Sequence, residues 1–140
     1  MTKNCFMASL DLTDAYYSVS ISPDSQTYLK FQVGSQLYKF ITLPNGSSSA
    51  PRILTKLMKT VYSTLRTRGL VTSGYLDYSF LLGDSFVQRQ TNVNNTYTLF
   101  GDLGFNFSKE KSVTQPTKVL EHLRFVLNSI NMSESHRRKN

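Results

Sequence analysis

SLDLTDAYY at residues 9–17 and GYLDYS at residues 74–79 each place an aspartate where an apolar run gives way to polar residues. Oxygen ligands from separate elements are what a two-metal phosphoryl-transfer centre needs, because two Mg²⁺ ions roughly 4 Å apart must be held beside substrate phosphates. Asp11 and Asp77 are candidates for two of these ligands. An isolated acid after an apolar strand is also common as a turn residue or a helix cap. Whether the two carboxylates meet therefore depends on the fold.

The composition is that of one globular domain in a reducing compartment. The chain has 140 residues, of which 39% are hydrophobic and 18% charged, with a formal net charge of +7. That length allows a core that buries roughly two thirds of the surface of the unfolded chain. The single cysteine, Cys5, excludes an internal disulfide, and no run has the length of a transmembrane helix or the order of a signal peptide. We therefore expect an intracellular protein with no membrane partner.

Apolar periodicity and turn residues predict an α+β fold. Strands are predicted at 6–12, 28–33, 36–42, 70–76, 79–82, 105–107, 119–123 and 125–127, and helices at 14–18, 51–68 and 87–103. Hydroxyls at 47–49 are expected to cap the second helix, and Asp77-Tyr78 to form the tight turn of a hairpin. The prediction is one domain over residues 1–132, an antiparallel sheet packed on two helices, followed by a disordered, polar and basic tail at 133–140.

The predicted helix at 51–68 is basic on one face and apolar on the other. At about 100° per residue, four cations fall within an arc of roughly 80°: Arg52, Lys56, Lys59 and Arg66. Four apolar residues lie opposite: Leu54, Leu57, Val61 and Leu65. Such a face suits a nucleic-acid backbone, since phosphate neutralisation supplies most sequence-independent affinity. An ordinary solvated helix is the alternative, although surface helices usually mix charge signs.

Five segments in order resemble the palm region of reverse transcriptases of retroelements. They are MASLDLTDAYYSV, LPNGSSSAPRILTKLMK, GYLDYSFLLGDS, LGFNFSKEKS and LEHLRFVLNS, and they span the chain from about Cys5 to Met132. The similarity is greatest to DIRS-like and gypsy-like retrotransposons. The resemblance implies a polymerase palm-type fold and RNA-directed DNA polymerase activity, a nucleotidyl transfer. Its partners would be an RNA or DNA template-primer and deoxynucleotides.

The resemblance also implies a role for each matching residue. Asp11 and Asp77 would hold two Mg²⁺ ions, and Lys111 would protonate the leaving pyrophosphate, with Lys109 as a neighbouring alternative. The nucleotide pocket would comprise Leu12 through its backbone, Tyr16 beneath the sugar, Asn45 through its amide, and Gly46 by allowing close approach. The cations Arg52, Lys56 and Lys59 would lie beside the template. A core tyrosine explains Tyr16 equally well, and a plain turn explains Asn45-Gly46.

Three departures from the family pattern predict impaired activity. The family normally has a second aspartate after Asp77, but this chain has Tyr78, and a neutral phenol is a poor Mg²⁺ ligand. Arg124 stands where a late strand motif that approaches the primer usually has glycine. Only ten residues precede Asp11, so the upstream fingers strands would be missing, and nothing after Met132 could form a thumb. The missing partners would then be the fingers, thumb and RNase H regions of a parent polyprotein. The chain would be a truncated palm.

Three hypotheses remain open at this point. The leading one is a reverse-transcriptase palm fragment from a retroelement, degenerate at Tyr78 and weak or inactive in template-directed DNA synthesis. The second is a non-catalytic nucleic-acid-binding module that uses the basic helix. The third is a translated, non-functional remnant that folds poorly.

Overall fold

The computed structural model describes residues 1–136, in which ten strands and three helices form. The strands are β1 (Phe6–Thr13), β2 (Lys30–Val33), β3 (Gln36–Lys39), β4 (Thr72–Tyr75), β5 (Tyr78–Gly83), β6 (Asn106–Phe107), β7 (Val113–Thr117), β8 (Val119–His122), β9 (Phe125–Asn128) and β10 (Ser133–His136). The helices are α1 (Pro23–Gln26), α2 (Ala50–Thr67) and α3 (Phe86–Asp102), and a 3₁₀ turn spans Ala15–Ser18. Within the described residues, none of these helices has the length and apolar character needed to cross a membrane.

Strand β1 is the centre of the main antiparallel sheet. The strand order is β4-β5-β1-β6, and β7 also pairs with β1. Successive side chains of a strand point to opposite faces, so Ala8, Leu10 and Leu12 join the clusters under the helices, whereas Met7 packs on Leu120 of β8. The predicted α+β fold, an antiparallel sheet packed on two helices, is confirmed.

Helices α2 and α3 cover one face of this sheet. Buried apolar residues of α2 are Leu54, Met58, Val61, Tyr62 and Leu65, and those of α3 are Val93 and Phe100. The prediction that Leu57 belongs to the packed face is wrong, because its side chain is 38% exposed. The buried arc is centred further round α2, on Met58 and Tyr62, which leaves Leu57 at its edge.

The start of α2 also differs from the expectation. Ser49 is the N-cap residue, but its backbone is already helical and its side chain makes no capping hydrogen bond within the described structure. The Ser49 hydroxyl instead lies 3.1 Å from the hydroxyl of Ser47. The prediction that these hydroxyls cap α2 is therefore wrong, because the Ser47 and Ser49 hydroxyls are hydrogen-bonded to each other instead.

Two strands, β7 and β10, lie where the sequence predicted none. β10 pairs residue by residue with β9, from Ser133 opposite Asn128 to His136 opposite Phe125. All four of its residues are exposed, and its sequence has no apolar alternation that would predict a strand. Backbone pairing with β9 and a ring contact between Phe125 and His136, 4.4 Å between centroids, hold it in place. The disordered-tail prediction is therefore wrong for 133–136, and its remainder, 137–140, lies outside the described residues.

The predicted first hairpin, β2 and β3, forms a separate two-stranded sheet. Every residue of both strands is exposed, and an isolated hairpin of this kind is only marginally stable in water. Phe31 stacks on Tyr38 with ring centroids 5.6 Å apart and contacts Phe40 at 4.8 Å. These aromatic contacts supplement the backbone ladder.

Tyr62 of α2 fastens the second hairpin, β4 and β5, to the helix layer. Its hydroxyl lies 2.8 Å from the hydroxyl of Ser79 in a buried hydrogen bond. Ser79 is paired across the hairpin with Gly74, and a Cβ atom at Gly74 would overlap the Tyr62 ring. The absence of a side chain at Gly74 therefore lets Tyr62 pass beneath the hairpin.

We expect Gly74→Ala to lower the free energy of unfolding by about 1–3 kcal/mol, because the added methyl group forces the Tyr62 ring and the hairpin apart. Gly101→Ala is the matched control. Gly101 lies in α3, and a methyl group added there would have no neighbouring atom within 4 Å, so this change should leave stability unchanged or raise it. Urea unfolding followed by circular dichroism measures both, and equal effects would show that Gly74 has no special steric role.

Candidate active site

Pairing of β1 with β5 brings the two predicted aspartates together. Asp11 stands directly opposite Tyr78 in the ladder, and Leu76-Asp77 forms the turn that joins β4 to β5. The Leu12 N–H donates to the Asp77 carbonyl at 2.9 Å, and Leu76 adopts a left-handed φ of 53°. The predicted turn is therefore centred on Leu76-Asp77, one residue earlier than expected, and both carboxylates line one cavity of about 270 Å³.

The same cavity collects most of the residues that sequence reasoning singled out. Its lining includes Asp11, Leu12, Tyr16, Asn45, Asp77 and Lys111, together with Thr13, Asp14, Ala15 and Ser108. Gly46 follows Asn45 with a φ of 86°, a conformation that glycine adopts without steric cost, but it is outside the cavity lining. Tyr16 is half-buried at the rim of the main core cluster, so its ring has both a core contact and a cavity face.

Charge in the cavity is concentrated on carboxylates that are partly removed from water. Burial raises the pKa of Asp77, nearby Asp11 raises it further, and Lys111 acts in the opposite direction. Asp11 is only 3% exposed. Within residues 1–136, its Oδ2 atom is buried and has no hydrogen-bond partner, which is costly for a polar atom unless a cation or water satisfies it.

The oxygen donors present fit a hard cation such as Mg²⁺, with only part of its shell supplied by protein. Mg²⁺ is commonly held by one or two carboxylates plus waters and substrate phosphates, and Asp11 and Asp77 are two such groups. Among the described residues, no cluster of three acids, histidines or cysteines could hold a metal ion. A cation here would therefore depend on oxygens from water or a bound ligand.

Tyr78 occupies the side of Asp11 where a third carboxylate is missing. The adjacent Asp11 side chain is the main cause that raises the pKa of Tyr78, followed by burial and the charge of Asp77. The phenol is therefore neutral at pH 7, and it stands opposite Asp11 in the ladder without adding negative charge.

The ring of Tyr78 also contacts the hairpin of β8 and β9, which contains Arg124. It meets His122 edge-on at 6.2 Å between centroids, and His122 packs on Phe80 at 5.0 Å. Burial lowers the pKa of His122. A cavity of about 650 Å³ lined by Tyr78, Lys111, His122 and Arg124 lies on this side, and Arg124 has a left-handed φ of 69°, so a non-glycine residue holds a turn geometry that favours glycine.

Tyr17 is a further residue that sequence reasoning left without a role. The Asn45 Nδ2 atom donates to the Tyr17 hydroxyl at 3.2 Å. This bond ties the loop after residue 43 to the 3₁₀ turn and thereby orients the amide that lines the cavity. Only the adjacency of two tyrosines after Asp14 hinted at it in the sequence.

The basic face of α2 lies beside the tip of the β4–β5 hairpin. Arg52, Lys56 and Lys59 line a groove of about 440 Å³ together with Pro51, Thr55, Tyr75 and Leu76. Tyr75 is 62% exposed. Arg66 is outside this groove, because its Nε atom donates to the Thr72 carbonyl at 3.1 Å. The four predicted cations thus divide into three in the groove and one bound to β4.

Comparison with known proteins agrees with this geometry. The chain is 25% identical over 133 residues to Protein P of Heron hepatitis B virus. The aligned region covers 94% of this chain and 17% of that protein. A foamy viral protease-reverse transcriptase in complex with dsDNA matches with a TM-score of 0.82 at 16% identity, over 94% of this chain and 26% of its own. The same enzyme in complex with an RNA/DNA hybrid gives 0.75 at 18% identity, over 89% of this chain and 16% of its own.

The chain thus spans about a quarter or less of the length of these relatives. The solved structures, at this identity, establish the fold. The family model for "Reverse transcriptase (RNA-dependent DNA polymerase)" matches residues 1–123. This match covers most of the chain, and the protein therefore belongs to the reverse transcriptase family.

Proposed function

We propose that this chain is a reverse-transcriptase palm whose site is built for template-directed deoxynucleotide addition and is weakened by Tyr78. One observation carries the proposal: Asp11, Asp77 and Lys111 line a single cavity with Tyr16 and Asn45. These are the side chains expected to hold metal, donate a proton and contact a nucleotide. They come from five separate parts of the chain, so their meeting is a property of the fold.

In the proposed reaction, Asp11 and Asp77 are the residues that would hold Mg²⁺. When bound, the metal supplies stabilisation of charge on the attacking and leaving oxygens. Lys111 would donate a proton from Nζ to the leaving pyrophosphate, because a cation beside developing negative charge also stabilises it. The Tyr16 ring and the Asn45 amide, fixed by Tyr17, would orient the sugar.

Tyr78 weakens this arrangement through charge more than through shape. The protein supplies two carboxylates where a third is expected, and Tyr78 contributes a neutral phenol in its place. The smaller negative charge beside Asp11 reduces affinity for a divalent cation and so reduces catalysis.

A primer-extension assay with Mg²⁺ tests the proposal. We expect trace extension by the unaltered chain and an increase of about tenfold or more for Tyr78→Asp, equivalent to about 1.4 kcal/mol of transition-state stabilisation. Tyr78→Phe is the control, since it removes the hydroxyl and adds no charge, and it should stay near the unaltered level. Robust synthesis by the unaltered chain would contradict impairment at Tyr78.

Metal dependence of stability gives an independent measurement for the same variants. Tyr78→Asp places a third carboxylate beside Asp11, and like charges destabilise the site until a cation neutralises them. We expect Mg²⁺ to raise the Tm of Tyr78→Asp more than that of the unaltered chain. A gain in Mg²⁺ stabilisation without a gain in extension would assign the limit to a step other than metal binding.

A second candidate function, nucleic-acid binding without catalysis, is favoured by the groove beside α2. Three cations line it and, among the described residues, no acid does. Exposed Tyr75 adds an aromatic surface, and cationic grooves with aromatic rings suit single-stranded nucleic acid. This function does not require Asp11 or Asp77.

Neutralising the groove separates this candidate from the first. We expect the triple variant Arg52→Gln, Lys56→Gln, Lys59→Gln to weaken binding of single-stranded RNA and to flatten the log-log salt dependence by about 0.7 per lost phosphate contact. The control triple Lys3→Gln, Lys30→Gln, Lys39→Gln removes the same charge outside the groove and should have a smaller effect. Arg66→Gln should also have little effect, because that side chain is bound to β4. Equal losses in the two triple variants would assign binding to net charge alone.

The remnant hypothesis is tested by cooperativity. The buried clusters under α2 and α3 predict one cooperative unfolding transition, which coincides when fluorescence and circular dichroism are compared. A gradual, probe-dependent loss of structure would favour a chain that folds poorly.

A further inference from the structure

We propose that Ser112, acting with Ser108, is a positioning residue that holds Asp11 and Lys111 in one fixed arrangement. The inference rests on the proposed metal-binding role of Asp11. Ser112 is outside the lining of the cavity that contains Asp11 and Asp77. The effect of both serines is on the backbone that presents the aspartate.

The starting observation is a gap in the sheet at Asp11. On the edge away from β5, β1 pairs with β7 at Met7 and Ser9, with an irregular register between them. Pairing with β6 begins only at Leu12, opposite Phe107. Asp11 lies between these two ladders, so neither β6 nor β7 hydrogen-bonds its backbone N–H or carbonyl. Buried backbone groups need partners, and they would have to come from elsewhere.

The loop between β6 and β7 supplies both partners. Ser112 Oγ accepts a hydrogen bond from the Asp11 N–H at 3.0 Å. The Ser108 N–H donates to the Asp11 carbonyl at 2.8 Å. One side-chain oxygen and one backbone amide therefore replace the missing strand, one at each end of the loop 108–112.

The loop is closed on itself by two more hydrogen bonds. The Ser112 N–H donates to the Ser108 carbonyl at 3.0 Å, and the Lys111 N–H donates to Ser108 Oγ at 3.3 Å. Lys111 is thus held within the same turn that hydrogen-bonds the backbone of Asp11. Ser108 and Lys111 both line the cavity with Asp11 and Asp77.

This connection links two groups that would otherwise be independent. Asp11 belongs to a rigid central strand, whereas a lysine in an exposed loop has no fixed position. Within residues 1–136, the hydroxyl oxygen of Ser112 is the one side-chain atom that bonds the end of the loop to the backbone of Asp11. Its loss should free the loop end while leaving the core of the sheet intact.

Two readouts on the full chain test the proposal without an activity assay. Binding of Tb³⁺, followed by luminescence sensitised by the tyrosines beside Asp11, reports the metal site. Hydrogen exchange of the peptide that contains Asp11, followed by mass spectrometry, reports the backbone bond itself. The variants are Ser112→Ala, Ser112→Thr as the conservative variant that keeps a hydroxyl, and Ser129→Ala as the control.

Ser129 is a suitable control because it is a buried serine whose hydroxyl also bonds a backbone group, at a place far from Asp11. Its side chain is 0% exposed, and its hydroxyl donates to the Cys5 carbonyl at 2.7 Å. Ser129→Ala therefore removes a buried bond between a serine and the backbone at the far end of β1. It accounts for any general loss of stability.

We expect Ser112→Ala to weaken Tb³⁺ binding by about tenfold, the usual lower size of an effect from a residue that orients a metal ligand. It should also speed exchange at Asp11, and Ser112→Thr should restore both. Ser129→Ala should change neither. Equal changes in Ser112→Ala and Ser129→Ala, or unchanged exchange at Asp11 in Ser112→Ala, would overturn the inference. Absence of Tb³⁺ binding in every chain, including the unaltered one, would overturn the proposed metal role, and exchange alone would then decide the role of Ser112.

Discussion

The ladder between β1 and β5 is the constraint on which the candidate site depends. Its register runs from Phe6 opposite Gly83 to Asp11 opposite Tyr78, and the β4–β5 turn follows at once. Because side chains alternate along a strand, a slip of one residue would turn Asp11 toward the helices and expose Leu10. The apolar residues that pack under α2 and α3 forbid that slip. The same packing that stabilises the domain therefore orients the Asp11 carboxylate toward the cavity.

Tyr78 shows how fold and chemistry separate at one position. A tyrosine suits a strand at least as well as an aspartate does, and the Tyr78 ring contacts His122. The sheet therefore accommodates the residue without rearrangement. What changes is the electrostatic character of the cavity, which has two carboxylates and a neutral phenol. The proposed loss of affinity for cations thus requires no change of fold.

Helix α2 connects the two candidate functions because its buried face packs on the hairpin that bears Asp77, whereas its exposed face lines the basic groove. Its buried face places the Tyr62 hydroxyl on Ser79 and so fixes the hairpin that bears Asp77. Its exposed face sets Arg52, Lys56 and Lys59 beside the tip of that hairpin. A nucleic-acid strand bound in the groove would thus pass next to the cavity with the carboxylates, since one rigid helix determines both positions.

Local sequence was sufficient to predict the main elements of the fold and to name candidate site residues. Apolar periodicity predicted β1, α2 and α3 to within a few residues, and the aspartates, Lys111 and the basic helix could be singled out from ordered motifs. These features depend on side chains a few positions apart, which can be compared along the chain directly. Tertiary structure alone decided the rest, because it brings distant residues into contact. Ser133–His136 forms a strand through backbone pairing with β9, without apolar alternation in its sequence. Arg66 is outside the groove because it donates to a carbonyl on β4. Ser112 bonds the backbone of Asp11 because the pairing of β1 with β7 ends before Asp11 and its pairing with β6 begins after it, and no sequence pattern indicates this gap.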